Sequence, residues 1–221
     1  MTQHKWTRRA MMSGMGVGAL QLTNARPAAA QASEVAFKPS RHPQDAWINN
    51  MPGGHRTIID SVSAKGVGEA LLFARNLFVA NASGYGLKDS DLAIIVCLRH
   101  AGTGFAFNDA MWAKYGAQLA GSPDVTDPKT KQAPTTNLYN SPGFGMGVTV
   151  DAVVTRGMHF AVCSMATQRL SGQIATAASL TADAVFKELT SNLIPNSHMV
   201  AAGVVAVTRA QEYGYTFLNA G

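Results

Sequence analysis

The run Leu92-Ala93-Ile94-Ile95-Val96-Cys97-Leu98 is the feature that most constrains the fold of this chain. Seven consecutive apolar residues are typical of a strand that is covered on both faces, as the strands of a parallel sheet are. Parallel strands cannot be joined by tight hairpins and need long crossover connections, usually helices. The run therefore predicts that strands and helices alternate along the chain.

The remaining sequence shows this alternation. The other predicted strands cover 57–62, 160–163, 199–201 and 215–218. The predicted helices cover 66–81, 105–119, 149–156, 168–178, 181–192 and 203–213. The pattern predicts an α/β protein with three α/β/α layers around a flavodoxin-like, mostly parallel five-stranded sheet. Among the topologies that right-handed crossovers allow, we expect the strand order 2-1-3-4-5.

The first 32 residues predict an export signal. Thr7-Arg8-Arg9-Ala10-Met11-Met12 is a twin-arginine pattern, and a modestly apolar stretch follows over residues 11–22. That stretch is too short to span a bilayer, and small residues behind it offer cleavage sites after Ala30 or Ala32. We therefore expect a twin-arginine signal peptide over 1–32 and a periplasmic product with no membrane segment.

The predicted organisation after the leader has two parts. Residues 33–55 read as an extended arm, and residues 56–221 read as one α/β domain. A proline- and glycine-rich loop insert at about 120–147 interrupts the domain, and long inserts of this kind are often functional.

The charge of the chain argues against a nucleic-acid partner. The formal net charge of +5 includes four basic residues and no acid within 1–32, so the remaining 14 basic and 13 acidic residues leave +1. Nucleic-acid binding needs clustered positive charge on one surface, which this distribution does not supply.

Cys163 is the first candidate site residue. It ends a predicted strand at the point where a helix begins, and the positive end of a helix dipole favours the thiolate form of a cysteine. Arg169 lies six residues further and either stabilises the anion or pairs with a surface carboxylate. The alternative for Cys163 is a buried thiol that fills the core.

His100 is the second candidate, because it follows the predicted strand 92–98. Ligands of parallel sheets collect at the carboxyl ends of the strands, so the strand order above gathers His100 and Arg99 with Cys163, Ser61, Ser63 and Lys65. His100 then either moves a proton near the thiol or caps the strand by bonding to backbone.

The second cysteine, Cys97, is predicted to be structural. The expected order puts a strand between Cys97 and Cys163, about 10 Å apart, which is too far for a disulfide. We therefore predict two unpaired thiols.

No metal or cofactor is predicted. Met146, Met158 and Met165 surround the cysteine segment and invite a Cu(I) site, but methionine more often fills gaps in a core. The histidines show no ligand spacing.

Two segments resemble the DsrE/DsrF-like sulfur-relay proteins, which include the TusD subunit of the tRNA-thiolation relay. The first is Gly157-x5-Cys163-x2-Ala166-x2-Arg169. The second is the closing stretch 202–215, with a Gly-Val start, an Arg-x-Gln centre and a Gly-aromatic end. The resemblance covers about residues 56–219. It implies a flavodoxin-like fold in a trimer or hexamer and a persulfide on Cys163 that is passed from a donor protein to an acceptor.

Two departures from the family are visible. Most relay members are cytoplasmic, and the insert at 120–147 is longer than the family leads us to expect. The leading interpretation is a periplasmic sulfur carrier that uses Cys163, with Arg169 and His100 in support. The alternative is a non-catalytic oligomeric binding or assembly module of the same fold.

Overall fold

A computed structural model describes residues 38–221, so the predicted leader 1–32 lies outside the described residues. The strands are β1 (His55–Ser61), β2 (Leu92–Leu98), β3 (His159–Cys163), β4 (Ser197–Val200) and β5 (Thr216–Ala220). All five are parallel and form one sheet. The helices are α1 (Ala46–Asn50), α2 (Ala64–Tyr85), α3 (Asp109–Leu119), α4 (Val150–Val154), α5 (Ser164–Ala178), α6 (Ala182–Thr190) and α7 (Gly203–Glu212). The three-layer α/β/α, flavodoxin-like class is confirmed.

The predicted strand order is wrong. The observed order is β4-β3-β2-β1-β5, so β2 lies between β1 and β3. The first three connections step in one direction across the sheet, and the connection through α7 returns over the sheet to β5 beside β1. Because right-handed crossovers that step in opposite directions cover opposite faces, α7 is separated from the other crossover helices.

The two faces of the sheet carry separate apolar clusters. One face packs Ile59, Val96 and Phe160 against α2 to α6, and its largest fully buried side chain is Trp112. The opposite face packs a smaller cluster against α1 and α7, including Ile95 and Cys97 of β2. Alternate residues of each strand therefore reach different helix layers, as the pleat requires.

Local sequence signals fix several helix ends. Ser63 caps α2 by accepting the Gly66 N–H at 3.0 Å, and Gly86 ends that helix with a φ of 68°, a left-handed conformation that suits glycine. Thr181 caps α6 by accepting the Ala184 N–H. Among residues 38–221, no helix is long and apolar enough to cross a membrane.

The segment before β1 is not extended throughout. Pro43–Asp45 and α1 are helical, and Ile48 and Met51 are buried in the cluster under α7. Tyr215 holds the segment by donating its hydroxyl to the Ile48 carbonyl at 2.8 Å. Apolar burial of a short helix thus overrides the loop-like composition of this stretch.

The insert at 120–147 has two parts with different packing. Asn137 is buried and donates to the carbonyls of Phe105 and Phe107, while Asp109 accepts the Asn137 N–H at 2.7 Å. Tyr139 is also buried and donates to the Ala64 carbonyl at 2.5 Å. Within the second part, residues 137–139 therefore belong to the core, while the first part, to about residue 133, lines a cavity at the C-terminal end of α3.

Candidate functional site at the carboxyl edge of the sheet

Cys163 ends β3 and caps α5, as the sequence predicts. Its Sγ accepts the Ala166 N–H at 3.4 Å, and its carbonyl accepts the Thr167 hydroxyl at 2.9 Å. The residue retains 7% of its surface, whereas Cys97 is fully buried. The sulfur therefore lies just beneath the surface at a helix N-terminus, a position that favours negative charge.

Arg99 is the charged neighbour of Cys163. Leu98 of β2 pairs with Val162 of β3 at the end of the ladder. The next residues along these strands, Arg99 and Cys163, are therefore also neighbours. The Arg99 backbone continues as an extended chain, so its side chain lies on the α7 face with that of Cys163. Arg99, rather than Arg169, is therefore the basic residue next to Cys163 in the sheet register.

Asp60 of β1 holds the Arg99 guanidinium. Arg99 donates from Nε to one carboxylate oxygen and from Nη2 to the other, both at 2.7 Å. This bond to Asp60 is the main cause that raises the pKa of Arg99 above its usual value. The Nη1 amino group has no hydrogen-bond partner among residues 38–221. The fork therefore fixes the cation while leaving donors for a second anion.

The N-terminus of α7 covers this cluster closely. A Cβ on Gly203 would lie 2.7 Å from the Arg99 Cβ and 3.0 Å from the Cys97 Sγ. Only a glycine allows this approach. Ala202 provides no side-chain cap, so the first N–H groups of α7 face this edge without a side-chain partner.

Cys97 is structural, as its position in the apolar run predicts. Its Sγ donates to the Gly203 carbonyl at 3.5 Å. Burial, with a smaller contribution from Asp60, raises the pKa of the Cys97 thiol far above its usual range. This thiol therefore stays protonated.

Both cysteines are free, in agreement with the predicted unpaired thiols. The predicted reason is wrong, because β2 and β3 are neighbours. Cys97 pairs with Ala161 in the register, so Cys163 lies two residues further along β3. Such diagonal neighbours are about 7–8 Å apart, beyond ordinary disulfide geometry.

His100 and Arg169 do not join Cys163. Both line a separate cavity of about 590 Å³ formed by α3, α5 and the first part of the insert. Cys163 does not line it. The separation follows from the faces of the sheet, because Leu170 beside Arg169 packs into the core on the α2–α6 side.

The other expected members of the rim also act elsewhere. Ser63 caps α2, and Lys65 pairs with Glu69 at 3.3 Å. Ser61 is fully buried, and its hydroxyl has no partner among the described residues. Ser63 and Lys65 therefore serve the start of α2 rather than a site shared with Cys163.

Sequence reasoning missed the Asp60–Arg99 pair. The available signal was a carboxylate inside the predicted strand 57–62, since an acid in a buried strand needs a partner. The predicted order places strand 57–62 beside strand 92–98, but the partner could not be chosen because the sequence does not give the register that puts Asp60 opposite Cys97.

A second polar cluster, also missed, lies at the amino end of the strands. The Trp47 ring stacks on His198 with centroids 4.0 Å apart, and His198 Nε2 lies 2.9 Å from His159 Nδ1. Burial lowers the pKa of both histidines, and for His198 the neighbouring His159 lowers it further. The pair is therefore neutral near pH 7.

No group of three or more His, Cys, Asp or Glu side chains in residues 38–221 is arranged to hold a metal. Met158 is fully buried, while Met146 and Met165 are exposed. The methionines around the cysteine segment thus differ in surroundings and do not form a shared ligand set.

Comparison with known proteins adds little. No family model matches the chain, and no curated protein matches it. One similar solved structure is a protein of unknown function from Methanobacterium thermoautotrophicum, at 14% identity and a TM-score of 0.36. The match covers 75% of this chain and 98% of that one. Similarity at this level supports no conclusion about function.

Proposed function

We propose that this protein is a sulfane-sulfur carrier that holds a persulfide on Cys163. The observation that carries the proposal is the placement of Cys163, whose Sγ accepts an N–H of α5 and whose neighbour in the sheet register is Arg99, fixed by Asp60. A persulfide is anionic near neutral pH, so a helix N-terminus and a guanidinium both favour it. The resemblance of the cysteine and closing segments to sulfur-relay proteins supports the same chemistry.

The proposed transfer has two balanced steps. The Cys163 thiolate attacks the outer sulfur of a donor persulfide, which forms the new S–S bond and releases the donor as its thiolate. An acceptor thiolate then attacks the outer sulfur held on Cys163, takes it, and releases the Cys163 thiolate. No net oxidant or reductant is needed, because the sulfur stays at the sulfane level throughout.

Arg99 takes the anion-stabilising role in this proposal. Its Nη1 donors are unused among the described residues, while Asp60 holds the rest of the guanidinium. His100 and Arg169 have no part in the step, because they line a different cavity. In this proposal, water at the edge of the sheet accepts the proton that the Cys163 thiol loses.

The proposed setting is the periplasm, after twin-arginine export and loss of residues 1–32. A homo-oligomer, a trimer or hexamer, and separate donor and acceptor proteins complete the proposal. Exposed apolar side chains on α7 and β5 support an oligomer, since Val204 is 56% exposed and Phe217 is 44% exposed.

The direct test is intact-mass analysis after treatment with a low-molecular-weight persulfide. We expect a single adduct with the mass of one sulfur atom on the native protein and on Cys97→Ala. Cys163→Ala should carry no adduct. Absence of the adduct on native protein, or an equal adduct on Cys163→Ala, would refute the carrier.

The burial of Cys163 favours one alternative, a non-catalytic oligomeric binding or assembly module. A residue with 7% of its surface exposed fits a structural thiol as well as a guarded one. The two functions differ in thiol reactivity, because a structural Cys163 would react only when the protein unfolds.

A further inference from the structure

The cavity lined by His100 and Arg169 has a composition that the sulfur-carrier proposal does not use. It lies at the carboxyl end of β2, between α3, α5 and the first part of the insert, with a volume of about 590 Å³. Cavities of this size bind small molecules, and the carboxyl edge is where parallel sheets bind their ligands.

Arg169 is the unusual member of this lining. Each other arginine of residues 38–221 has a hydrogen bond, an ion pair or an aromatic ring as partner, namely Arg41, Arg56, Arg75, Arg99, Arg156 and Arg209. The Arg169 side chain has none among those residues. Its full set of donors is therefore free for a ligand.

The charge of the cavity has one sign. No aspartate or glutamate lines it, while the side chains of His100, Arg169 and Gln173 offer donors. A cation bound here would meet no counter-charge. The cavity therefore favours an anionic ligand. A guanidinium can donate two parallel hydrogen bonds to the two oxygens of a carboxylate.

Part of the cavity wall is apolar. Leu119, Val125 and Leu170 contribute to it, and residues of the first part of the insert complete the lining. An inorganic anion would leave this wall without a partner, whereas a ligand with an apolar body would cover it.

The backbone at His100 is held in an unusual conformation. Its φ is 54°, in the left-handed region that non-glycine residues seldom adopt. The Ala101 and Gly102 N–H groups that follow both bond to the Val62 carbonyl at 3.0 and 3.2 Å, so the turn is tightly determined. A side chain that is kept at such a position is often kept for function.

We propose that this cavity binds a small organic carboxylate, with the carboxylate on Arg169 and His100 and an apolar body against the wall of the insert. The site is independent of Cys163, which lies outside the cavity. It therefore stands whether or not the thiol carries sulfur.

The test uses the full-length chain, with hexanoate as the probe and hexanamide as its neutral counterpart. Two-dimensional amide NMR reports where binding occurs, because Gly104 and Gly121 line the cavity and Gly203 lies at the Cys163 cluster. We expect hexanoate to shift the first two signals and leave the third, while hexanamide shifts none. Butyrate should bind more weakly, since each buried methylene contributes about fourfold in affinity.

Variants assign the contact. Arg169→Gln should weaken hexanoate binding about tenfold, because it removes a charged hydrogen bond. His100→Asn should weaken it less, since asparagine tolerates the left-handed backbone. Arg75→Gln, at an exposed arginine on α2 that bonds only to Asn76, is the matched control and should leave binding unchanged.

Four results would overturn the proposal. One is the absence of saturable shifts at Gly104 and Gly121 with hexanoate. Another is equal binding of hexanamide, which would show that the carboxylate contributes nothing. Equal binding of inorganic phosphate would likewise show that the apolar wall contributes nothing. The last is unchanged affinity in Arg169→Gln when its thermal melting matches that of the native protein.

Discussion

Two polar clusters lie on the same face of the sheet, at opposite ends of the strands. At the carboxyl end, Asp60 and Arg99 form a charged pair beside Cys163. At the amino end, Trp47, His159 and His198 form a stacked group that burial keeps neutral. Both clusters belong to the α1 and α7 side of the sheet, so they differ in position along the strands rather than in layer.

The difference shows what a parallel sheet provides at each end. At the carboxyl end, helices start, and their N–H groups point toward the strand ends, which favours anions and fixed ion pairs. At the amino end, helix C-termini and loops face the strands. His159 and His198 contact each other there, while the buried Trp47 Nε1 has no hydrogen-bond partner among residues 38–221. Reactive anionic chemistry is therefore expected at the Cys163 cluster and not at the histidine cluster.

The largest expected effect is a contrast in thiol reactivity. In native protein at pH 7, Cys163 should alkylate about 100-fold faster than Cys97, because Cys97 reacts only after the structure opens. Iodoacetamide labelling followed by peptide mass analysis measures both rates in one sample. Equal alkylation rates of Cys163 and Cys97 in folded protein would contradict the expectation that the thiol at the strand end is more accessible than the thiol inside the strand.

Gly203→Ala tests the close approach of α7 to the charged cluster. The added Cβ would lie 2.7 Å from the Arg99 Cβ, so the free energy of unfolding should fall by about 1–3 kcal/mol. Urea unfolding followed by circular dichroism gives the value. Gly172→Ala is the matched control in α5, where a Cβ meets nothing within 4 Å, and it should be neutral or stabilising.

Asp60→Asn tests the ion pair itself. Arg99 would keep its charge with no carboxylate, and its side chain is only 28% exposed. We expect a loss of about 1–2 kcal/mol in the free energy of unfolding, since partial exposure screens the charge. Asp183→Asn removes an exposed helix pair with Lys187 and should change stability by less than about 0.5 kcal/mol. Equal losses in both variants would contradict the special status of the carboxyl-end pair.

The smallest expected effect is acid sensitivity at the histidine cluster. Both histidine pKa values are lowered in the folded state, so the unfolded state binds protons first as the pH falls. Stability is therefore full above about pH 6.5 and is lost as the pH falls from there through the folded pKa values. Melting temperatures between pH 7.5 and 5.5 should show this loss, and His198→Phe should reduce it.

His55→Gln, at the exposed start of β1, is the control for this profile and should follow the native protein. A pH profile of His198→Phe that coincides with the native one would contradict the assignment to the stacked cluster.

The fold class could be predicted because its signals are local. The apolar run 92–98, the caps at Ser63 and Thr181 and the stop at Gly86 each report on a few neighbouring residues. Strand order could not be predicted in this way. The order 4-3-2-1-5 and the order 2-1-3-4-5 use the same strands and the same right-handed crossovers, so periodicity does not separate them.

The candidate site was predicted in part for the same reason. Cys163 at a helix start is a local feature, and the structure confirms its position. Its charged neighbour is a long-range feature, because Arg99 reaches Cys163 only when β2 lies beside β3. Arg169 is near Cys163 in the chain but faces a different cavity.

The sequence alone determined the α/β/α layers, the helix boundary at Cys163 and the structural burial of Cys97, because apolar periodicity and caps act over one or two turns. The tertiary structure decided which strands are neighbours, that Asp60 holds Arg99 beside Cys163, and that His100 and Arg169 share a cavity elsewhere. These outcomes depend on packing between distant segments and on which face of the pleat each side chain takes, and neither is encoded in a short stretch of sequence.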